Sequence, residues 1–308
     1  MQIRTWAALT AIALLEMSPL AFGQDKPYLA YSAKPMVPTP WVAPNKPRWR
    51  LSEILAKHKG EARWDEPVVR DNDFMGDYVQ EAPGDKAQTR FYADNRVLFV
   101  VWDGQIRFTI EGQKPFVASK GFLVEVPFRV PFSTETVSGK PSLHFEVRSS
   151  QDEPLFPVDG KPEAKPGITY VKVSTKGHGS YDAQNKPVLD FEKDIVQGGA
   201  KGPYFIASDH FSADVIRGPA VKTPPPSNRG HFHVDFGEFW FILEGNMDYL
   251  IEGTPFFTAD AGDIVYAPRG RWHRASFGGP VGQMDTRFAI NPYPQGMHNY
   301  GPDAGATQ

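Results

Sequence analysis

The feature that most constrains this chain is an internal repeat. Setting Val101-Trp102-Asp103-Gly104 against Ile242-Leu243-Glu244-Gly245 gives an offset of 141 residues (245 − 104), and the match runs without a gap to Pro127 and Pro268. Along it Ile110-Glu111-Gly112 meets Ile251-Glu252-Gly253, Phe116 meets Phe257, Ala118 meets Ala259, Gly121 meets Gly262 and Val124 meets Val265. Such agreement implies two copies of one folding unit. From Arg63 onward the chain is short apolar runs broken by Gly, Pro, Asn and Asp, and its 28 glycines and 29 prolines suit strands and turns better than helices. The expected fold is all-β: two tandem barrels at 61–150 and 203–290, with a linker and loops at 151–202.

The second copy carries a metal-ligand pattern. His231 and His233, at i and i+2, share one face of a strand, because side chains alternate with period two. Asp235-Phe236-Gly237 can turn the chain and return Glu238 beside them, and His273 follows behind Gly262, Pro268 and Gly270. Three imidazoles and one carboxylate suit one divalent transition metal ion: iron, manganese, copper, nickel or zinc. In the first copy the same offset puts Arg90 under His231, Tyr92 under His233, Val97 under Glu238 and Phe132 under His273. No ligand survives there, so the first barrel is expected to be metal-free, and its aromatics Phe99, Trp102, Phe108 and Phe132 to be core or an apolar ligand site.

These residues resemble the two motifs of the cupin superfamily. Gly230, His231, His233, Glu238 and Gly245 match the first motif, and Gly262, Pro268, Gly270 and His273 the second. The chain departs at Phe277, where a polar residue that is not a metal ligand often stands. The resemblance implies a bicupin of two double-stranded β-helix (jelly-roll) barrels, with one intact, C-terminal 3-His-1-Glu centre. It also implies a metal-dependent activity, most readily a dioxygenase-like oxidoreductase acting on a small organic acid or phenolic compound. Isomerase, lyase and decarboxylase chemistry, or non-catalytic storage and binding, remain open on the same barrel.

Beyond the motifs, the sequence bounds partners and place. A formal net charge of -3 without a long charged block argues against a nucleic-acid partner and for a small-molecule ligand. Arg4, the apolar run Trp6 to Leu15 and Ala21-Phe22-Gly23 read as an export signal over 1–23, too short to leave a stable membrane span, which places the protein in a periplasm or outside the cell. The arm 24–60 should run extended, pinned by Trp41 and Trp49, and end in a helix from Ser52 to Lys59 that Ser52 caps and whose apolar face is Leu51, Ile54 and Leu55. A strand-like run, Ile168 to Val173, interrupts the linker, and Pro224-Pro225-Pro226 form a stiff approach to the metal strand. The tail 291–308 should be irregular, with His298 and Tyr300 in it.

Around the ligands, alternation after Glu238 turns Trp240 and Ile242 towards the site, and only one of Asp248 and Tyr249 can look inward. Val281 to Ile290 should form the last strand, with either Gln283, Asp285 and Arg287 or Met284, Thr286 and Phe288 lining the cavity. Trp240 and Arg287 are therefore the candidate catalytic residues, and one of Arg269, Arg271 and Arg274 can turn inward to meet a substrate carboxylate. A monomer and a homo-oligomer are both compatible with the sequence.

Overall fold

The computed structural model describes residues 31–160, 162–199, 204–208, 210–221, 223 and 228–293. The chain divides into Met1–Ala33 and Lys34–Gln308, and both repeats lie in the second unit. The expected export signal, the three prolines Pro224, Pro225 and Pro226, and His298 and Tyr300 fall outside the described residues. No helix among the described residues is long and apolar enough to cross a membrane.

After β1 (Arg48–Trp49) and α1 (Leu51–Lys57), the first repeat supplies β2 (Trp64–Arg70), β3 (Phe74–Glu81), β4 (Val97–Asp103), β5 (Gln105–Ile110), β6 (Phe116–Ser119), β7 (Phe122–Val126), β8 (Phe132–Thr136) and β9 (Ser142–Ser149). β10 (Val188–Asp190) and a π-helical segment, Phe191–Gln197, precede the second repeat. That repeat supplies β11 (Tyr204–Ser208), β12 (Phe211–Pro219), β13 (Glu238–Glu244), β14 (Asn246–Ile251), β15 (Phe257–Asp260), β16 (Ile264–Ala267), β17 (His273–Phe277) and β18 (Met284–Asn291). The 141-residue offset recurs in the strand limits themselves, since β4, β5, β6 and β8 reappear as β13, β14, β15 and β17.

Each repeat folds into a large antiparallel sheet and a small one. The orders are β10-β7-β4-β9-β3-β2 with β6-β5-β8, and β1-β16-β13-β18-β12-β11 with β15-β14-β17. β4 and β13, inside the large sheets, are buried on both faces and read as nearly unbroken apolar runs, whereas β5 alternates exposed and buried residues because one face meets solvent. In β4, Val97, Phe99 and Val101 point into the first barrel while Leu98 and Val100 join a core shared with the second. That shared core brings Phe74, Tyr78 and Phe145 against Phe211, Phe239 and Phe241. The Tyr78 hydroxyl adds a polar tie to the Gly262 carbonyl.

The arm and the linker each complete an edge. β1 pairs with β16, and β10 with β7, so a segment outside each repeat covers an otherwise open strand. Trp49 is buried, and Trp41 packs on the core and donates its indole N–H to the Tyr266 carbonyl, which pins the arm as expected.

Three expectations need correction. The helix begins at Leu51, and Ser52 lies within it; the Leu51 N–H is met by Asp263 Oδ1 at 3.0 Å, while Asp263 Oδ2 accepts from Arg48 at 2.7 Å. The cap therefore comes from a residue distant in sequence. Leu55 is exposed, leaving Leu51 and Ile54 as the buried face. Ile168 to Val173 forms no strand and carries exposed apolar side chains: it pairs with none of the described sheets.

Candidate metal centre

His231 and His273 begin the site as backbone partners. His231 N–H donates to His273 O at 2.9 Å and His273 N–H returns to His231 O at 2.8 Å, an isolated antiparallel bridge. Gly230 permits this approach. Its φ is +77°, and a Cβ there would lie 2.5 Å from the His273 carbonyl oxygen. Past His233 the chain turns through Asp235-Phe236-Gly237, Phe236 stacking on His233 with centroids 4.3 Å apart, and Glu238 opens β13 opposite Ala267.

All four predicted ligands converge. Glu238 Oε2 lies 2.9 Å from His233 Nε2, 3.1 Å from His273 Nε2 and 3.6 Å from His231 Nε2, and the last two nitrogens are 3.1 Å apart. One donor atom from each residue fits within 4.8 Å of all the others. Bonds of about 2.1 Å to a divalent ion set neighbouring donors of an octahedron ~3.0 Å apart and opposite ones ~4.2 Å apart. The contacts of 2.9 to 3.6 Å lie near the spacing of neighbouring donors. Among the described residues no other group of His, Cys, Asp and Glu side chains gathers this way.

Protonation suits an ion as well. His273 Nδ1 lies 3.0 Å from the Arg271 carbonyl oxygen, which can only accept, so Nδ1 carries the proton and Nε2 turns its lone pair to the centre. Burial alone would raise the Glu238 carboxyl, but the three imidazoles gathered around it outweigh burial and hold the group well below the usual carboxylate range. Burial first, and then the charge of His231, push His273 down to about 4. An ionised carboxylate beside a neutral imidazole is the state a metal ion requires.

Trp240 stands where alternation puts it, its ring 5.1 Å from that of His273 and 5.3 Å from that of Tyr249, buried among Ile242, Met247 and Val265. On β18, Phe288 and Ile290 join the inter-barrel core and Ala289 the barrel interior, so Arg287 faces the interior. Its charge acts on Tyr249, as does that of Glu238. Arg287 Nε and the Tyr249 hydroxyl are both buried without a hydrogen-bond partner among the described residues. Asp285, on the same side, is taken up by the N–H groups of Asn246 and Gly279. Of Asp248 and Tyr249 it is Tyr249 that looks inward, a choice legible in Met247, Tyr249 and Ile251 at period two. Arg271 turns away from the ion site: it stacks on Trp41 at 3.6 Å and donates to the carbonyls of Thr39 and Glu252.

No protein-family model and no curated protein sequence matches this chain. Solved structures do. The chain is similar to a cupin 2 conserved barrel domain protein from Leptotrichia buccalis, with TM-score 0.51 and 10% identity over 80% of this chain and 95% of that one. It is also similar to a tryptophan variant of oxalate decarboxylase from Bacillus subtilis, with TM-score 0.50 and 12% identity over 81% and 78% of the two chains. A putative glyoxylate induced protein from Pseudomonas aeruginosa gives TM-score 0.50 and 14% identity over 75% and 80%. At these identities the likeness is one of fold: this is an all-β protein of cupin fold. More particularly it has two barrels of that fold, the second of which gathers three histidines and a glutamate, while the first has Arg90, Tyr92, Val97 and Phe132 in those places.

Proposed function

We propose that this bicupin is a metal-dependent enzyme that acts on a small organic acid or phenolate, by dioxygenase-type oxidation. The observation that supports it is the uneven burial of the ligand set: His233, Glu238 and His273 are 4%, 4% and 2% exposed at the side chain, while His231 is 35% exposed. A purely structural centre would be closed on all sides; this one is open towards His231, where a ligand can reach the ion. A bound divalent ion supplies Lewis acidity and, if iron, manganese or copper, redox chemistry with dioxygen.

The chain's own residues supply the rest. Trp240 and the apolar wall around it exclude water and strengthen every charge inside. Arg287 is a fixed cation facing that interior with no ion pair among the described residues, and a carboxylate or phenolate ligand would satisfy it, with the Tyr249 hydroxyl as a second donor. Metal-loaded protein should consume oxygen with one class among catechols, phenolic acids and oxalate. Arg287→Leu should then raise KM about tenfold or more for an acidic substrate with metal content unchanged. Steady-state kinetics check this, and an unchanged KM would remove Arg287 from substrate binding. Absence of turnover across the panel would count against the enzyme reading itself. The N-terminal segment supports an exported protein, and intact mass checks it: cleavage after Gly23 makes Gln24 the first residue of the mature chain.

A further inference from the structure

The barrel without metal ligands is not filled at the corresponding place. Arg90 and Phe132 form an isolated bridge, as His231 and His273 do 141 residues later. His144 pairs with Val101 on β4, as Arg287 pairs with Ile242 on β13. Above a packed floor of Phe99, Phe108 and Phe132, which leaves no room for the apolar ligand site expected there, lies a cavity of about 1070 Å³. Trp102 is not part of that floor; it packs against Phe241 of the second barrel, with ring centroids 5.5 Å apart.

The wall of this cavity is a set of charges held rigid by one another. Glu146 lies 3.2 Å from Arg148, 3.6 Å from Arg90 and 3.9 Å from His144, and accepts from the Tyr92 hydroxyl at 3.2 Å. Arg148 also reaches Asp77 at 3.2 Å, and the Arg90 guanidinium sits over the Phe132 ring at 4.7 Å. Burial opposes the charge on Glu146, but His144, Arg90 and Arg148 together hold it ionised, at about 2. Apolar residues in these positions would stabilise a barrel at least as well, so a buried network of this kind is better explained by a ligand than by folding.

The chemistry of the wall selects the ligand. Around this network Arg70, Arg90 and Arg148 balance Asp65, Asp77 and Glu146, so an incoming anion or cation meets as much repulsion as attraction. Over the whole lining seven carboxylates face five lysine and arginine side chains, a small acidic excess. What the wall offers in excess is direction. Each guanidinium has five N–H donors, more than its ion pairs use, while the carboxylates of Glu146 and Asp77 are each held by several partners and so are fixed in direction. At the mouth, Phe156 and Tyr170 meet edge to face at 5.9 Å, and Tyr170 is 41% exposed. Fixed donors and acceptors inside, with aromatic faces at the rim, complement a neutral molecule that alternates hydroxyl groups with an apolar C–H face.

From this geometry we infer that the first barrel is a metal-independent binding site for a neutral saccharide, separate from the centre in the second barrel. The test uses full-length, metal-loaded protein in calorimetric titrations with glucose, galactose, N-acetylglucosamine, maltose, cellobiose and xylobiose, and with oxalate and putrescine as charged comparisons. At least one neutral sugar should saturate a single site per chain, and neither chelator treatment nor the pair His231→Ala and His233→Ala should abolish it. Tyr170→Ala, on an exposed loop where folding is not at stake, should weaken that binding about tenfold, and Glu146→Gln should remove it. Failure of every sugar to bind below about 10 mM, tighter binding of oxalate or putrescine at this site, or affinity untouched by both variants would overturn the assignment. Because the readout does not depend on the metal, such a failure leaves the reading of the second barrel where it stood.

Discussion

With His231 and His233 both replaced by alanine, the purified protein is expected to fall from about one transition metal ion per chain to below about a tenth. The two residues supply half of the donor set, and the pair left behind, Glu238 and His273, 3.1 Å apart, offers only two donor atoms. Two ligands do not outcompete solvent for an ion that four hold. The Glu238 carboxylate, buried at 4% side-chain exposure, also loses two of its three imidazole partners, so the variant should be less stable than metal-stripped parent protein. The direction follows from the cost of leaving a buried charge poorly compensated. The barrel should still form, because Trp240, Met247, Tyr249 and Val265 pack without these histidines. Elemental analysis gives the metal content and circular dichroism the fold. Stoichiometric metal in the folded double variant would show that the ligands lie elsewhere.

Phe241→Ala carries the largest expected effect on stability. Phe241 is fully buried, and its ring lies 5.5 Å from Trp102, 5.8 Å from Phe145 and 6.3 Å from Tyr78, all three in the first barrel. Truncation leaves a cavity between two sheets that cannot collapse independently, at a cost of about 3–5 kcal/mol. As the same core backs both large sheets, denaturant should unfold the two barrels in one transition at a lower midpoint, with the metal released in that transition. A variant that lost the first barrel while the second still held its ion would mean that the barrels are energetically separate.

Much of this was legible because two periodicities were strong. The 141-residue repeat fixed the existence of two barrels, and strand alternation placed Trp240 and Ile242 on the ligand side of β13. The metal ligands were legible for the same reason: i, i+2 spacing and a turn of three residues leave the side chains few places to go. Features made by distant partners were not. β1 is two residues long, and its pairing with β16 depends on an edge formed more than two hundred residues later. The start of α1 was hidden for that reason too, since the Leu51 N–H is met by Asp263, which lies far along the chain. In the linker, the β propensity of Ile168 to Val173 did not produce a strand, while the weaker run Val188–Asp190 pairs with the edge of β7. The charged lumen of the first barrel did leave a trace in sequence: His144, Glu146 and Arg148 alternate with Leu143, Phe145 and Val147. That pattern normally marks a solvated face, and only the fold turns it inward.

The second barrel holds the single predicted metal centre among the described residues. Its most direct test is the metal content of the unmodified protein, purified without chelators and measured per chain by elemental analysis. One iron, manganese, copper, nickel or zinc ion per chain is the predicted result, and its identity selects among the oxidative and non-oxidative reactions. No ion, or two, would contradict it.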